Sequence, residues 1–106
     1  MYENLVKTAY TTQCGNTKFS DDAQLSLSIH AFFAIPKSAS KKKRQDMIDG
    51  IIRPTKKPDM DNIVKIVADA LNQIAYKDDA QIVDAVIFKY YSDNPHVYVR
   101  IENAIP

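Results

Sequence analysis

Residues 61–76, DNIVKIVADALNQIAY, repeat apolar side chains at the intervals of an α-helix. This 3.6-residue spacing predicts a helix with one buried face. The helix is expected to begin near Asp61 or Asn62, because both residue types cap helices and Pro58 disfavours helical geometry just before it. We expect it to end at one of the last two residues of the stretch. The apolar stripe consists of Ile63, Val64, Val67, Ala70, Leu71 and Ile74.

Two pairs of acidic residues flank this helix. Asp59 and Asp61 lie at its start, and Asp78 and Asp79 follow its end. Taken alone, each pair is best explained as a helix cap or a turn. If the next segment runs back along the helix, the two pairs meet at one site. That hypothesis requires the pairs to lie within roughly 10 Å of each other, because a metal ion holds its oxygen ligands at about 2.0–2.6 Å.

The rest of the sequence has patterns that predict short helices and three strands. Residues 25–33 alternate apolar and polar side chains, as a half-buried strand does, and residues 81–90 predict a strand that is apolar on both faces. Residues 92–95 form a turn signal before an alternating segment, so the last two strands are expected to form a hairpin. Two further helices are expected, one from Tyr2 to about Tyr10 before a loop from Thr11 to Ser20, and one capped by Ser38 or Ser40 that ends near Asp49 and Gly50.

Length and composition indicate one globular domain over residues 1–106, with 45% hydrophobic and 25% charged residues. Cys14 is the only cysteine, which excludes an intramolecular disulfide and a thiolate zinc site built from this chain alone. No apolar run approaches the roughly 20 residues that span a bilayer, and the first residues lack a signal-peptide pattern. We therefore expect a cytoplasmic protein without a membrane partner.

The net charge of +1 conceals a strong separation of charge. Residues 37–57 contain eight basic residues and two acids, whereas the rest of the chain contains six basic residues and eleven acids. A solvated face is the ordinary explanation for the basic run alone. Beside an acidic pocket it favours a surface that holds the phosphates of DNA. The expected DNA-binding residues are Lys41, Lys42, Lys43, Arg44, Arg53, Lys56 and Lys57.

Together, the acidic pairs and the basic segment favour a metal site for phosphodiester hydrolysis. Carboxylates without a nearby Cys or His pair favour Mg²⁺, with Mn²⁺ possible, over zinc. Such an ion neutralises charge on the phosphate during hydrolysis. Lys65, one turn beyond Asp61, is expected to stabilise the developing charge, although a solvated lysine is the ordinary alternative. Asp69 is placed to pair with Lys65, and His30 and His96 are expected to be structural.

Residues 57–62 (KPDMDN), then Lys65, Asp69 and residues 76–83 (YKDDAQIV), closely resemble the RusA family of Holliday junction resolvases. The resemblance covers about residues 56–90. It implies a homodimer that binds four-way DNA junctions and makes paired symmetric nicks in a Mg²⁺-dependent reaction. It also implies that Asp59, Asp61 and Asp79 are the essential metal-binding acids, that Lys65 is the functional lysine and that Asp78 is the neighbouring acid.

Members of this family are often encoded by phages or prophages. They usually begin with an additional strand and a segment containing Gly and Arg or Lys, whereas this chain is expected to open almost directly at its first helix. A naturally short form and a truncated reading frame are both open interpretations. The sequence thus predicts an α+β, RusA-like domain in which a small mixed β-sheet of about three strands packs against helices. Its expected function is Mg²⁺-dependent Holliday junction resolution in DNA recombination and repair. The alternatives are a related nuclease for other branched DNA, and a weakly active or non-catalytic branched-DNA-binding protein of the same fold.

Overall fold

The computed structural model describes residues 18–105 of the chain. The helix expected from Tyr2 to Tyr10, most of the loop expected after it, and Cys14 lie outside the described residues. The described part is an α+β fold in which a three-stranded mixed sheet is accompanied by two α-helices, as predicted. The elements are β1 (Leu25–Ala34), α1 (Lys41–Ile48), α2 (Met60–Leu71), a 3-10 helix (Asp79–Gln81), β2 (Ile82–Ser92) and β3 (His96–Asn103).

The sheet has the order β2-β1-β3, with β1 parallel to β2 and antiparallel to β3. The predicted hairpin between the last two strands is therefore wrong, because β1 lies between them. The reason lies in the composition of β1, whose Leu25, Leu27, Ile29 and Ala31 are all buried. A strand with so complete an apolar row gains most from the central position, where a neighbour pairs with it on each side.

The buried core of the described residues lies on one face of the sheet. Ile63, Val67, Ala70 and Leu71 of α2 are buried and belong to the same core as the apolar row of β1. The strand β2 carries apolar side chains on both faces, as expected, but Val83 and Val86 are exposed among the described residues. The opposite face carries aromatic side chains, among them Phe32, stacked between His96 and Tyr90.

The second helix ends at Leu71, earlier than its predicted end at Ala75 or Tyr76. Asn72 has an extended backbone and Gln73 has a positive φ of 68°, so the chain turns here. Tyr76 is fully buried, and its hydroxyl donates a hydrogen bond to the backbone oxygen of Ala68. That oxygen is one of the last four helix carbonyls, which have no partner inside the helix. The apolar residues Ala75 and Tyr76 are buried although they lie beyond the helix. The apolar period therefore continues past Leu71 without a further turn of α-helix.

The basic helix α1 agrees with its prediction. The hydroxyl oxygen of Ser40 accepts a hydrogen bond from the backbone N–H of Lys43, 3.2 Å away, which caps the first turn. Gly50, with a φ of +79°, follows its end, as expected of a glycine after a helix. Among the described residues no helix is both long and apolar enough to cross a membrane.

Candidate active site

An open pocket of about 560 Å³ lies between the first turns of α2 and the turn before β2. It brings together side chains that are distant in sequence, because α2 ends in a tight turn and the chain then enters β2. Asp61 and Lys65 come from the helix, and Asp79 comes from the turn. The lining residues are Met60, Asp61, Val64, Lys65, Ala68, Asp79 and Ile82.

The helix side of the site begins at Asp59. Its backbone is extended, its carbonyl oxygen accepts the first helical hydrogen bond from Ile63 at 3.0 Å, and its carboxylate makes no capping hydrogen bond. The side chain of Asp59 therefore does not cap the helix, so capping does not explain why an acid stands at this position. Asp61 follows in the first turn, where a negative charge is favoured near the helix N-terminus.

The turn that holds Asp79 is fixed by a capping box. The carboxylate oxygen Oδ1 of Asp78 accepts a hydrogen bond from the N–H of Ala80 at 2.9 Å. In return, Oε1 of Gln81 accepts hydrogen bonds from the N–H groups of Lys77 and Asp78 at 3.0 and 3.1 Å. One carboxylate oxygen of Asp78 thus stabilises the turn through a hydrogen bond. The next residue, Asp79, lines the pocket.

The amide of Gln81 also ties this turn to the segment before β1. Its Nε2 donates hydrogen bonds to the backbone oxygens of Ser20 and Ala23, at 3.0 and 3.2 Å. Gln81 was not among the predicted site residues, although the pattern of an acid followed three residues later by glutamine indicates a capping box. The contacts to Ser20 and Ala23, some 60 residues away in sequence, have no such local signal.

Negative charge accumulates around the turn. The pKa of Asp79 is raised, first by partial burial and then by the neighbouring carboxyls of Asp78 and Asp69. The pKa of Asp78 is lowered, chiefly by its hydrogen bond from Ala80 and then by the one from Asp79. The pKa of Tyr76 is raised by burial and by the same three carboxylates. A carboxyl such as that of Asp79, whose ionisation is opposed by neighbouring acids, fits a site that takes up a cation.

The pocket contains one member of each acidic pair. Asp59 and Asp78 are not among its lining residues, and within residues 18–105 no three acidic, histidine or cysteine side chains form a metal-binding group by themselves. The assignment of all four acids as metal ligands, and of Lys65 as a catalytic residue, stays a prediction. Lys65 and Asp69 do not form the ion pair that their spacing allows, since the ion pairs among the described residues join other side chains.

The expected DNA-binding residues fall into two groups. The first is on α1, where Lys41 and Lys43 are exposed, Lys42 lies 3.6 Å from Asp46, and Arg44 lies 2.8 Å from Asp93. Such exposed ion pairs are weak. Lys42 and Arg44 can therefore exchange their carboxylate partners for the phosphates of DNA.

The second group holds the linker between α1 and α2 against β2. Arg53 Nε donates to the backbone oxygen of Lys89 at 2.9 Å, and the Arg53 guanidinium lies 4.2 Å from the centre of the Tyr90 ring. Lys89 Nζ donates to the backbone oxygen of Lys56 at 2.6 Å. These contacts fix the segment that leads through the exposed Lys57 into Asp59. Arg53 therefore has a structural role beside any contact with DNA.

The other polar residues considered from the sequence have structural partners. His30 stacks on Phe88 at 5.0 Å between ring centres, and His96 stacks on Phe32 at 4.4 Å. Asp84 is exposed, and its carboxylate accepts a hydrogen bond from the hydroxyl of Ser26. None of these three lines the pocket.

Comparison with known proteins identifies a family and a curated relative. A family model described as "Endodeoxyribonuclease RusA" matches residues 1–102. The uncharacterized protein YqaN of Bacillus subtilis (strain 168) is 48% identical over 79 residues, which are 73% of this chain and 56% of that protein. The chain therefore spans only about half of this relative's length. No solved structure matches the chain.

Proposed function

Because this chain belongs to the RusA endodeoxyribonuclease family, we propose that it is a divalent-metal-dependent endonuclease that resolves four-way DNA junctions. The observation that carries the proposal is the pocket in which Asp61, Lys65 and Asp79 meet from two separate segments. Carboxylates that can hold a metal ion and a lysine that can contact a phosphate are groups suited to metal-dependent phosphodiester hydrolysis. The proposal covers paired symmetric nicking by a homodimer, because a two-fold assembly presents two identical sites to two equivalent strands.

The donor set of the pocket fits a hard cation. All of the acidic groups offer oxygen ligands, the pocket is open to solvent, and burial together with the neighbouring carboxyls of Asp78 and Asp69 raises the pKa of Asp79. Asp61 and Asp79 would hold Mg²⁺ or Mn²⁺, with Asp59 as a further ligand from the chain entering the helix. When bound, the ion would neutralise negative charge on the scissile phosphate and lower the pKa of the attacking water.

The remaining residues of the site would bind and orient the DNA. Lys65 would place its ammonium beside a non-bridging oxygen of the phosphate, where negative charge grows during the reaction. Asp78 would act mainly through the capping box that sets the position of Asp79. The lysines of α1 would contact the DNA backbone, which fixes orientation without reading sequence.

A synthetic four-way junction tests this function directly. We expect the protein to nick the junction in Mg²⁺ or Mn²⁺ and to stop when the metal is chelated, since the carboxylates alone cannot neutralise a phosphate. The measurement is a gel of labelled strands, with a linear duplex of the same sequence as the matched control. Nicking that continues in the presence of chelator contradicts the proposed chemistry. Salt-sensitive junction binding without nicking in any divalent metal favours a branched-DNA-binding protein instead.

The contribution of α1 to binding is measurable from salt dependence. Lys41→Gln is expected to weaken junction binding and to lower the slope of log affinity against log salt by about 0.9, the value for one lost phosphate contact on duplex DNA. Lys18→Gln, which also removes one exposed positive charge but lies outside α1 and the pocket, is the control and should leave the slope unchanged. Equal slopes for both variants would exclude Lys41 as a phosphate contact.

A further inference from the structure

The pocket beside the acidic residues is lined mainly by apolar side chains. Val64, Ala68 and Ile82 line it together with Met60, which lies between Asp59 and Asp61 in the sequence. Met60 is the first residue of α2 and is 51% exposed, although nothing in the helix requires an apolar residue at that position. A phosphate and a hydrated metal ion gain nothing from such a surface. An apolar lining next to charged groups instead indicates a ligand with both polar and apolar parts.

The nucleotide is the part of a DNA substrate with this combination. Its phosphate matches Lys65 and a cation held by the acids, and the faces of its base and sugar match the apolar lining. The volume of about 560 Å³ lies within the range of roughly 300–1,000 Å³ typical of small-molecule pockets. Methionine is flexible and polarisable, so Met60 suits contact with any of the four bases.

The exposed aromatic face of the sheet is a less suitable place for a base. Tyr90, Phe32 and His96 stack on one another with ring centres 5.7 and 4.4 Å apart, and Arg53 covers Tyr90. Both faces of Phe32 are therefore occupied within the protein. A base would have to displace one of these rings to stack.

We propose that the Met60 pocket binds the base and deoxyribose of the nucleotide next to the phosphate that is cut. This inference rests on the proposed nuclease function and adds a nucleoside subsite to it. The subsite would draw one nucleotide out of the stacked helix, which is easiest at the branch point of a junction, where stacking is already interrupted. It thereby provides a reason, located in this chain, for preferring branched over linear DNA.

The first test observes Met60 directly, without cleavage. With methionine methyl groups labelled for NMR, thymidine 3′,5′-bisphosphate in Ca²⁺ is expected to shift the Met60 signal and leave the signal of the buried Met47 in α1 unchanged. The abasic sugar bisphosphate is expected to bind about tenfold more weakly, because it lacks the apolar base. Equal affinity of the two compounds, an unmoved Met60 signal at saturation, or no binding of either compound overturns the inference.

Substitution of Met60 provides the second test. Met60→Ala is expected to weaken binding of thymidine bisphosphate about tenfold, with little effect on the abasic compound, and Met60→Leu is expected to restore most of the affinity. Ile51→Ala is the matched control, since Ile51 is an exposed apolar residue that does not line the pocket. Met60→Ala binding that equals wild type contradicts the inference.

The two proposals fail in distinguishable ways. If the protein nicks a junction but Met60 does not respond to the nucleotide, only the subsite is wrong. If the nucleotide shifts Met60 and no branched DNA is cut in any divalent metal, the nuclease function is wrong and the nucleotide pocket stands.

Discussion

Asp79→Asn is expected to reduce nicking of a four-way junction by at least about 100-fold, because residues that merely support metal ligands already contribute about 10–100-fold. Asparagine preserves the size of the side chain and one oxygen, but it removes the negative charge that would hold the cation in the pocket. The measurement is the initial rate of nicking in saturating Mg²⁺. Junction binding is expected to persist, since the basic surface of α1 is separate from the pocket.

The same substitution should not destabilise the protein. Burial, and then the neighbouring Asp78 and Asp69, raise the pKa of Asp79, which means that its negative charge is disfavoured in the folded state. Removing that charge relieves the repulsion, so Asp79→Asn is expected to unfold at the same temperature as wild type or at a higher one. Loss of activity with retained thermal stability is the pattern expected of a residue kept for function rather than for folding.

Asp61→Asn provides the matching substitution on the helix side. If Asp61 and Asp79 hold one cation, the double variant should be little worse than either single variant, because residues that act as a unit are not additive. Asp84→Asn is the control, since Asp84 is an exposed acid that bonds Ser26 away from the pocket. Nicking at the wild-type rate by either pocket variant would exclude that residue as a metal ligand.

Local signals in the sequence were sufficient to predict α1 and the existence of α2, but not where α2 ends. Ser40 and Gly50 set the ends of α1, and the 3.6-residue period placed Asp61 and Lys65 one turn apart on α2. The early end of α2 had no such signal, because the apolar period continues through a turn. What ends the helix is the burial of Tyr76 and its hydrogen bond to Ala68, a contact between residues eight positions apart.

The order of the strands was beyond local reasoning. Residues 92–95 have the composition of a hairpin turn, yet they connect the two strands on either side of β1. A turn signal shows that the chain reverses direction, but it does not show which strands pair with each other. The choice depends on the apolar row of β1, whose burial requires α2 and both neighbours at once.

The charge of residues 37–57 predicts a DNA-binding segment, but it does not predict which contacts each basic residue makes within the protein. Arg53 and Lys41 look equivalent in sequence. In the structure Arg53 covers Tyr90 and bonds the backbone of Lys89, whereas Lys41 is exposed on α1. The contacts of Arg53 arise because β2 passes beside the linker, a tertiary arrangement that composition does not encode.

Gln81 holds the turn that contains Asp79 in place relative to the rest of the fold. Gln81→Leu removes four hydrogen bonds and is expected to reduce nicking about 10–100-fold, the range for residues that orient metal ligands. It is also expected to lower the free energy of unfolding by about 1–3 kcal/mol, since backbone groups lose partners in a partly shielded site. Gln24→Leu is the control at an exposed glutamine outside the pocket.

The dependence of nicking on Mg²⁺ concentration separates positioning from simple destabilisation. If Gln81 orients Asp79, Gln81→Leu raises the Mg²⁺ concentration needed for half-maximal nicking, even well below the unfolding temperature. A variant that is only less stable keeps the wild-type metal dependence at that temperature. Gln81→Glu divides the role further, because it retains the acceptor for the N–H groups of Lys77 and Asp78 and loses the donor to Ser20 and Ala23. Wild-type metal dependence in Gln81→Leu would mean that the turn holds Asp79 without this side chain.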